Sequence, residues 1–201
     1  VKAVTDYNTV KTMDKDEAKA CGIYNVIGYD MDDRYLAALK KMSINGDIIK
    51  KVADDIKIVY TPFHGTGNIP VRRVLKELGF KHVYVVPEQE KPDPDFTTLE
   101  YPNPEDPKAF TLALKLAKEV DADIVLATDP DADRLGVYSK DTKTGEYQSF
   151  TGNMSAMLIA EYILSQRQEK GLLHKNGAFV KTIVSTNMAD SIAKEYNLKL
   201  I

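Results

Sequence analysis

Asp123-Ile124-Val125-Leu126-Ala127-Thr128 runs straight into Asp129-Pro130-Asp131-Ala132-Asp133-Arg134, and this junction decides the fold. A short apolar run bounded by polar residues reads as a strand buried on both faces, the kind that parallel sheets carry. The loop after it has a carboxylate at every second position. In extended chain the side-chain direction alternates with period two, so Asp129, Asp131 and Asp133 can project to one side. Like charges held so close repel, and a hard divalent cation with oxygen ligands is the simplest relief. Magnesium is the natural candidate, because it favours octahedral oxygen coordination and keeps positions open for water or a phosphoryl oxygen. Arg134 adds a planar donor fork suited to phosphate. An EF-hand is excluded, since Arg134 and Lys140 stand where that loop needs its glycine and its last glutamate.

Upstream, residues 57–63 contain Ile58-Val59-Tyr60 followed by Thr61-Pro62, and the loop His64-Gly65-Thr66-Gly67-Asn68 leads to Pro70 at a helix start. In that helix Val71, Val74, Leu75 and Leu78 form an apolar stripe, and Gly79 is placed for a left-handed cap. Residues 83–86 predict a second strand. After a proline-punctuated loop over 87–104, Asp106 can cap a helix with Pro107 in its first turn and Phe110, Ala113, Leu114, Ala117 and Val120 on its buried side. Strands alternating with helices imply right-handed crossovers and parallel pairing. A strand over 135–139 follows the third too soon for a crossover, so it predicts an antiparallel neighbour, with Thr144-Gly145 as the turn after it. The expected fold class is therefore α/β, a three-layer α/β/α arrangement with a mixed, mostly parallel sheet.

The flanks read more plainly. Residues 1–21 predict a connecting segment with a weak helix over 14–20, and 30–44 an amphipathic helix with Tyr35, Leu36, Leu39 and Met42 on one face, stopped at Asn45-Gly46. From Thr151 a helix begins. A strand over 179–184, a helix over 188–196 and a strand from Leu198 repeat the same order, which predicts a truncated second α/β unit; the ending at Ile201, a strand just starting, is expected of an excised segment. Ser185-Thr186, at the end of the 179–184 strand, either line a ligand cleft or cap the following helix.

Of the 201 residues, 43% are hydrophobic and 28% charged, a balance that fits a globular chain and neither disorder nor a fibrous repeat. With 27 Lys plus Arg against 30 Asp plus Glu, the formal charge of -3 gives no electrostatic footprint for nucleic acid or an anionic membrane. No apolar run approaches the roughly 20 residues that cross a bilayer, and no signal-peptide succession opens the chain. A single cysteine, Cys21, excludes an internal disulfide and points to the cytoplasm. His82 and His174 lack partners at metal-ligand or triad spacing and, like Cys21, read as ordinary surface or packing residues. The His64 to Asn68 loop either offers amides to an anion or only shapes a tight turn; it lacks the lysine of a P-loop and the three-glycine dinucleotide spacing.

Thr128-Asp129-Pro130-Asp131-Ala132-Asp133-Arg134, with Thr61-Pro62-Phe63-His64-Gly65-Thr66-Gly67 and Tyr101-Pro102-Asn103-Pro104-Glu105, resembles the α-D-phosphohexomutases, in particular the bacterial phosphoglucomutase branch with its phosphomannomutase and phosphopentomutase relatives. The resemblance covers most of the chain from about Gly22 onward. It implies a four-domain parent of which 1–21 is the end of the first domain, 22–150 the metal-binding second domain, and 151–201 the start of the third. It also implies an isomerase of carbohydrate metabolism: a phosphoserine in the first domain gives its phosphoryl group to a sugar phosphate of the glucose 1-phosphate and 6-phosphate class, and the bisphosphorylated sugar returns the other phosphate. By the same resemblance Asp129, Asp131 and Asp133 bind Mg2+ and Arg134 lies beside it; Arg134 by its donor fork, and Ser185 and Thr186 by their place at the end of a strand, are the candidate substrate contacts. The family's Ser-His-Asn-Pro loop, its sugar-reading loop and its fourth-domain phosphate loop are not in this sequence. The segment alone is accordingly expected to be inactive, to need the missing domains as partners, and to be capable of self-association. Two rivals are a haloacid-dehalogenase phosphatase, disfavoured by Asp133 where Thr or Val is wanted and by its missing Thr and Lys motifs, and a noncatalytic divalent-ion or sugar-phosphate binding module.

Overall fold

The computed structural model describes residues 3–201. A one-turn 3-10 helix (Tyr7–Thr9) and α1 (Lys15–Ala20) lie in an almost wholly exposed leading segment, with α1 opening on Asp14, whose carboxylate accepts from the amides of Asp16 and Glu17. Then come α2 (Tyr29–Met42), α3 (Gly46–Val52), β1 (Lys57–Thr61), α4 (Asn68–Leu78), β2 (His82–Val85) and the short α5 (Pro87–Glu90). A 3-10 turn over Pro107–Phe110 feeds α6 (Thr111–Val120), followed by β3 (Ile124–Thr128), β4 (Leu135–Lys140) and β5 (Tyr147–Phe150).

The five strands form one sheet in the order β2-β1-β3-β4-β5. β1 pairs in parallel with β2 and β3, while β4 runs antiparallel to β3 and β5 antiparallel to β4. The sheet is mixed as expected, but its pairings divide evenly, because the chain after the Gly145 turn returns as β5. Right-handed crossovers fix the layers: β1 to β2 moves one way across the sheet and β2 to β3 moves back, so α4 and α6 cover opposite faces. The same reversal places a topological switch point between β1 and β3, and ligands of open α/β sheets bind beyond the carboxyl ends of the strands at such a point.

Beneath α6, Ala113 and Ala117 are fully buried against Val59 and Val125, and their small side chains let the helix lie close to the sheet. Phe110 meets Phe63 edge-on at 5.8 Å and Tyr138 at 4.6 Å. Gly136 in β4 makes room for this cluster, since a Cβ there would come within 2.6 Å of the Phe110 ring. On the other face α2 and α3 both pack against α4. Leu36 and Leu39 cover that contact, whereas Tyr35 and Met42 are exposed, so the buried stripe of α2 is narrower than the sequence predicts. The helix also stops at Met42, and Asn45-Gly46 opens α3 rather than closing a longer helix.

Thr151 starts α7 (Gly152–Glu169) by accepting from the Met154 amide, and α7 rests against β4 and β5. Beyond it β6 (Ala178–Phe179), α8 (Met188–Glu195) and β7 (Lys199–Leu200) form a small second unit around Met157, Ala189, Ile192 and Tyr196. The strand expected over 179–184 is cut to its first residue. Its β-branched composition favours extended chain, but after the Lys181 amide donates to the Ile201 carbonyl the chain turns, with the Ser185 amide donating to the Thr182 carbonyl. Ile183 and Val184 are left 101% and 82% exposed. Their amides should exchange with solvent far faster than those of Val125 and Leu126 in β3; protection equal to β3 in a hydrogen-exchange experiment would mean that the segment is paired after all.

Candidate metal centre

β3 delivers its carboxyl end at the switch point with Ala127 and Thr128 buried. Under the loop, the Tyr60 hydroxyl on neighbouring β1 and Thr128 Oγ1 lie 2.8 Å apart. Burial pushes the Tyr60 phenol up to about 12, against the opposing pull of the Thr128 hydrogen bond, so this floor carries no charge near neutral pH.

The loop above it is a tight turn, not the extended chain that the alternating carboxylates suggest. The Ala132 amide donates to the Asp129 carbonyl at 3.0 Å, and Ala132 takes a left-handed φ of 60°. That fold-back brings one oxygen from each of Asp129, Asp131 and Asp133 to within 4.8 Å of one another. Asp129 is buried, and its Oδ1 accepts from the Arg134 amide at 2.9 Å; Asp131 and Asp133 face solvent. The half-exposed Arg134 guanidinium stands 3.8 Å from Asp129 and 3.9 Å from Asp133, too far for close pairing with either. Convergent carboxylates with oxygens left over are a donor set that fits a hard cation such as Mg2+.

The glycine loop after β1 is the wall of this turn. A Cβ on Gly65 would lie 2.4 Å from Pro130 Cα, and one on Gly67 would lie 2.6 Å from both Thr128 Oγ1 and the Tyr60 hydroxyl. The Thr66 amide and hydroxyl both donate to the Pro130 carbonyl, at 2.8 and 3.1 Å. The loop therefore touches the aspartate turn, and its Thr66 amide is spent on protein rather than on an anion. The third sequence motif arrives on the opposite side: Pro104 and Glu105 line a cavity of about 600 Å³ together with Arg134, Tyr138, Ser149 and Thr151. Asp131 and Asp133 are outside that lining. Tyr138 and the Thr66–Pro130 bond escaped the sequence reading, and only the repeated Gly-x-Gly hinted at so close an approach.

Other candidates sit apart from this centre. Thr186 Oγ1 accepts from the Met188 amide at 3.3 Å, the helix-capping alternative, and its own amide donates to Asn153 Oδ1 at 2.9 Å. Among the described residues neither Ser185 nor Thr186 shares a hydrogen bond or cavity wall with the aspartate turn. His82 begins β2, His174 and Cys21 are exposed, and no cluster of possible metal ligands among the described residues includes them. No helix among the described residues is long and apolar enough to cross a membrane.

Residues 33–144 match the family described as phosphoglucomutase/phosphomannomutase, alpha/beta/alpha domain II. A phosphoglucomutase of Staphylococcus aureus (strain N315) is 38% identical over 145 residues, which cover 72% of this chain and 25% of that protein. The human glucose 1,6-bisphosphate synthase is 38% identical over 168 residues, covering 82% of this chain and 26% of its own. This chain thus spans about a quarter of the length of these curated relatives. Among solved structures, a phosphoglucomutase/phosphomannomutase family protein of Burkholderia thailandensis superposes over 78% of this chain and 32% of its own with a TM-score of 0.55, at 24% identity, a likeness of fold.

Proposed function

The chain belongs to the phosphoglucomutase/phosphomannomutase family, and from that premise we propose that it is the metal-holding part of a magnesium-dependent phosphosugar mutase. The observation that carries the reading is the convergence of Asp129, Asp131 and Asp133 at the switch point, with Arg134 beside them. These three aspartates would hold Mg2+. When bound, the ion supplies Lewis-acid stabilisation of negative charge on a phosphoryl oxygen. Arg134, on the wall of the 600 Å³ cavity, would orient the phosphate of the sugar by its donor fork. Tyr60 and Thr128 hold the uncharged floor, so the negative charge of the site stays with the aspartates. Ser185 and Thr186 are kept as candidate sugar-phosphate contacts, with the capping bond of Thr186 as a competing use.

The phosphoryl group would come from a phosphoserine in a part of the parent that this chain lacks, passing between the 1 and 6 positions of a hexose phosphate through a bisphosphorylated sugar. We assign 22–150 to the second domain of such a parent, an assignment favoured by the family match lying wholly inside it, with 1–21 as the connection from the first and 151–201 as the start of the third. The test is turnover. A longer protein carrying this chain should convert glucose 1-phosphate to glucose 6-phosphate in Mg2+, and the 201-residue chain should not. Turnover by the chain alone would overturn the division of labour. Binding of sugar phosphate by the longer protein without conversion would favour the noncatalytic module.

A further inference from the structure

Behind the glycine loop lies a buried polar chain that none of the assigned roles uses. Phe63 and His64 both take left-handed backbone, with φ of 45° and 63°, conformations that cost energy for side chains of this size and persist only where the surroundings fix them. Phe63 is fixed by its ring, buried against Phe110. His64 is fixed by hydrogen bonds at its amide and at both ring nitrogens: the amide donates to the Gln89 carbonyl at 2.9 Å, Nδ1 faces the Lys91 carbonyl at 2.8 Å, and Nε2 faces Thr98 Oγ1 at 2.7 Å. Two residues further on, Thr66 binds Pro130 in the middle of the aspartate turn.

We propose that His64 is a positioning residue for the aspartate turn, locked as the Nδ1–H tautomer by a hydrogen-bond chain that runs in one direction. This inference rests on the metal-site reading above for its purpose, though not for its geometry. A carbonyl oxygen only accepts, so Nδ1 donates to Lys91, and Nε2 of the neutral ring is left to accept from the Thr98 hydroxyl. Thr98 Oγ1 in turn accepts from Gln89 Nε2 at 3.4 Å, Gln89 Oε1 accepts from the Thr61 hydroxyl at 2.7 Å, and Thr61 Oγ1 accepts from the Phe63 amide at 3.2 Å. Every member has one consistent role, and Gln89 and Thr61 are fully buried, so no water is needed to complete the chain. The segment bearing Thr98 is itself tied down by Asp93, which accepts from the Thr97 hydroxyl and from the amides of Thr97 and Asp95. Those bonds, the Thr97 hydroxyl first, hold the Asp93 carboxyl below the usual carboxylate range. The chain thus joins the end of β1, the α5 region and the 93–98 loop into one support, and Gly65 and Thr66 carry its position to Pro130.

Three measurements on the 201-residue chain test this. With only three histidines in the sequence, long-range proton–nitrogen NMR should show His64 as a single Nδ1–H tautomer, and Thr98→Val, which removes the donor to Nε2, should yield a tautomer mixture. His64→Gly keeps the left-handed backbone free of strain but deletes the ring. Exchange of the Thr66 amide should then rise about tenfold, and Mn2+ affinity, read by electron paramagnetic resonance, should fall about tenfold, as for groups that orient metal ligands from behind. His64→Asn, which tolerates positive φ and retains a donor near the Nδ1 position, should recover part of both. An Nε2–H tautomer in the wild type would overturn the lock, and Thr66 exchange unchanged in both His64→Gly and Thr98→Val would overturn the positioning role. Failure of the wild type to bind Mn2+ would overturn the metal-site reading alone, since Thr66 exchange still decides the positioning role.

Discussion

Asp129→Asn is expected to weaken Mg2+ binding by at least about tenfold, which corresponds to about 1.4 kcal/mol. Asp129 is the one buried member of the triad, and its Oδ1 already accepts from the Arg134 amide. An asparagine that keeps this bond with its carbonyl oxygen must turn its NH2 group towards the cation, so the change removes a charge and also presents a donor where an acceptor is needed. Without the ion the sign reverses. Relief of carboxylate repulsion should leave the variant as stable as the wild type or slightly more so, because the wild type gains its extra stability from binding. Calorimetric titration with Mg2+, paired with thermal unfolding with and without the ion, reads both effects, and Asp55→Asn, at an exposed position, serves as the charge control. If Asp129→Asn bound Mg2+ as tightly as Asp55→Asn, the three aspartates would not be the site.

Gly65→Ala is the second large effect. The added Cβ would meet Pro130 Cα at 2.4 Å, its carbonyl oxygen at 2.5 Å and its carbonyl carbon at 2.7 Å, all main-chain atoms that no rotamer change can move aside. The two loops must part and the Thr66–Pro130 bonds must stretch. Overpacking of this sort costs about 1–3 kcal/mol, and cation affinity should fall with it because the aspartate turn loses its wall. Gly46→Ala is the contrast: among the described residues nothing lies within 4 Å of a Cβ there, and the residue opens α3, so a neutral or mildly stabilising change is expected. Urea unfolding of the two variants would show the difference in midpoint, and equal midpoints would mean that Gly65 and Pro130 are not in contact in solution.

Particular residues show how far the sequence could be read. Thr151 as a helix start, Gly79 as a left-handed cap and Asp106 at the head of the Pro107 turn are local matters of hydrogen-bond donors, φ and side-chain reach, and each is found where the sequence puts it. The antiparallel β4 was legible for the same reason, since a short connection leaves no room for a crossover. β5 was missed because Tyr147-Gln148-Ser149-Phe150 is too short and too polar to announce a strand; it exists because β4 offers it an edge. The 179–184 strand failed in the opposite way, its extended propensity overridden by a local turn in which the Ser185 amide donates to the Thr182 carbonyl.

At the site the same division holds. The sequence by itself determined which groups carry the charge, Asp129, Asp131, Asp133 and Arg134, and that they stand at the carboxyl end of a buried strand, because residue type and the apolar run before them are one-dimensional information. How the carboxylates converge was decided by the left-handed turn at Ala132. What stands behind them was decided by contacts across 64 residues of sequence, Thr66 on Pro130, and by a hydrogen-bond chain from Thr61 through Gln89 and Thr98 to His64. Periodicity and motif spacing report only on neighbours a few residues apart. The close approach of two loops exists only once parallel pairing of β1 with β3 has set their carboxyl ends side by side.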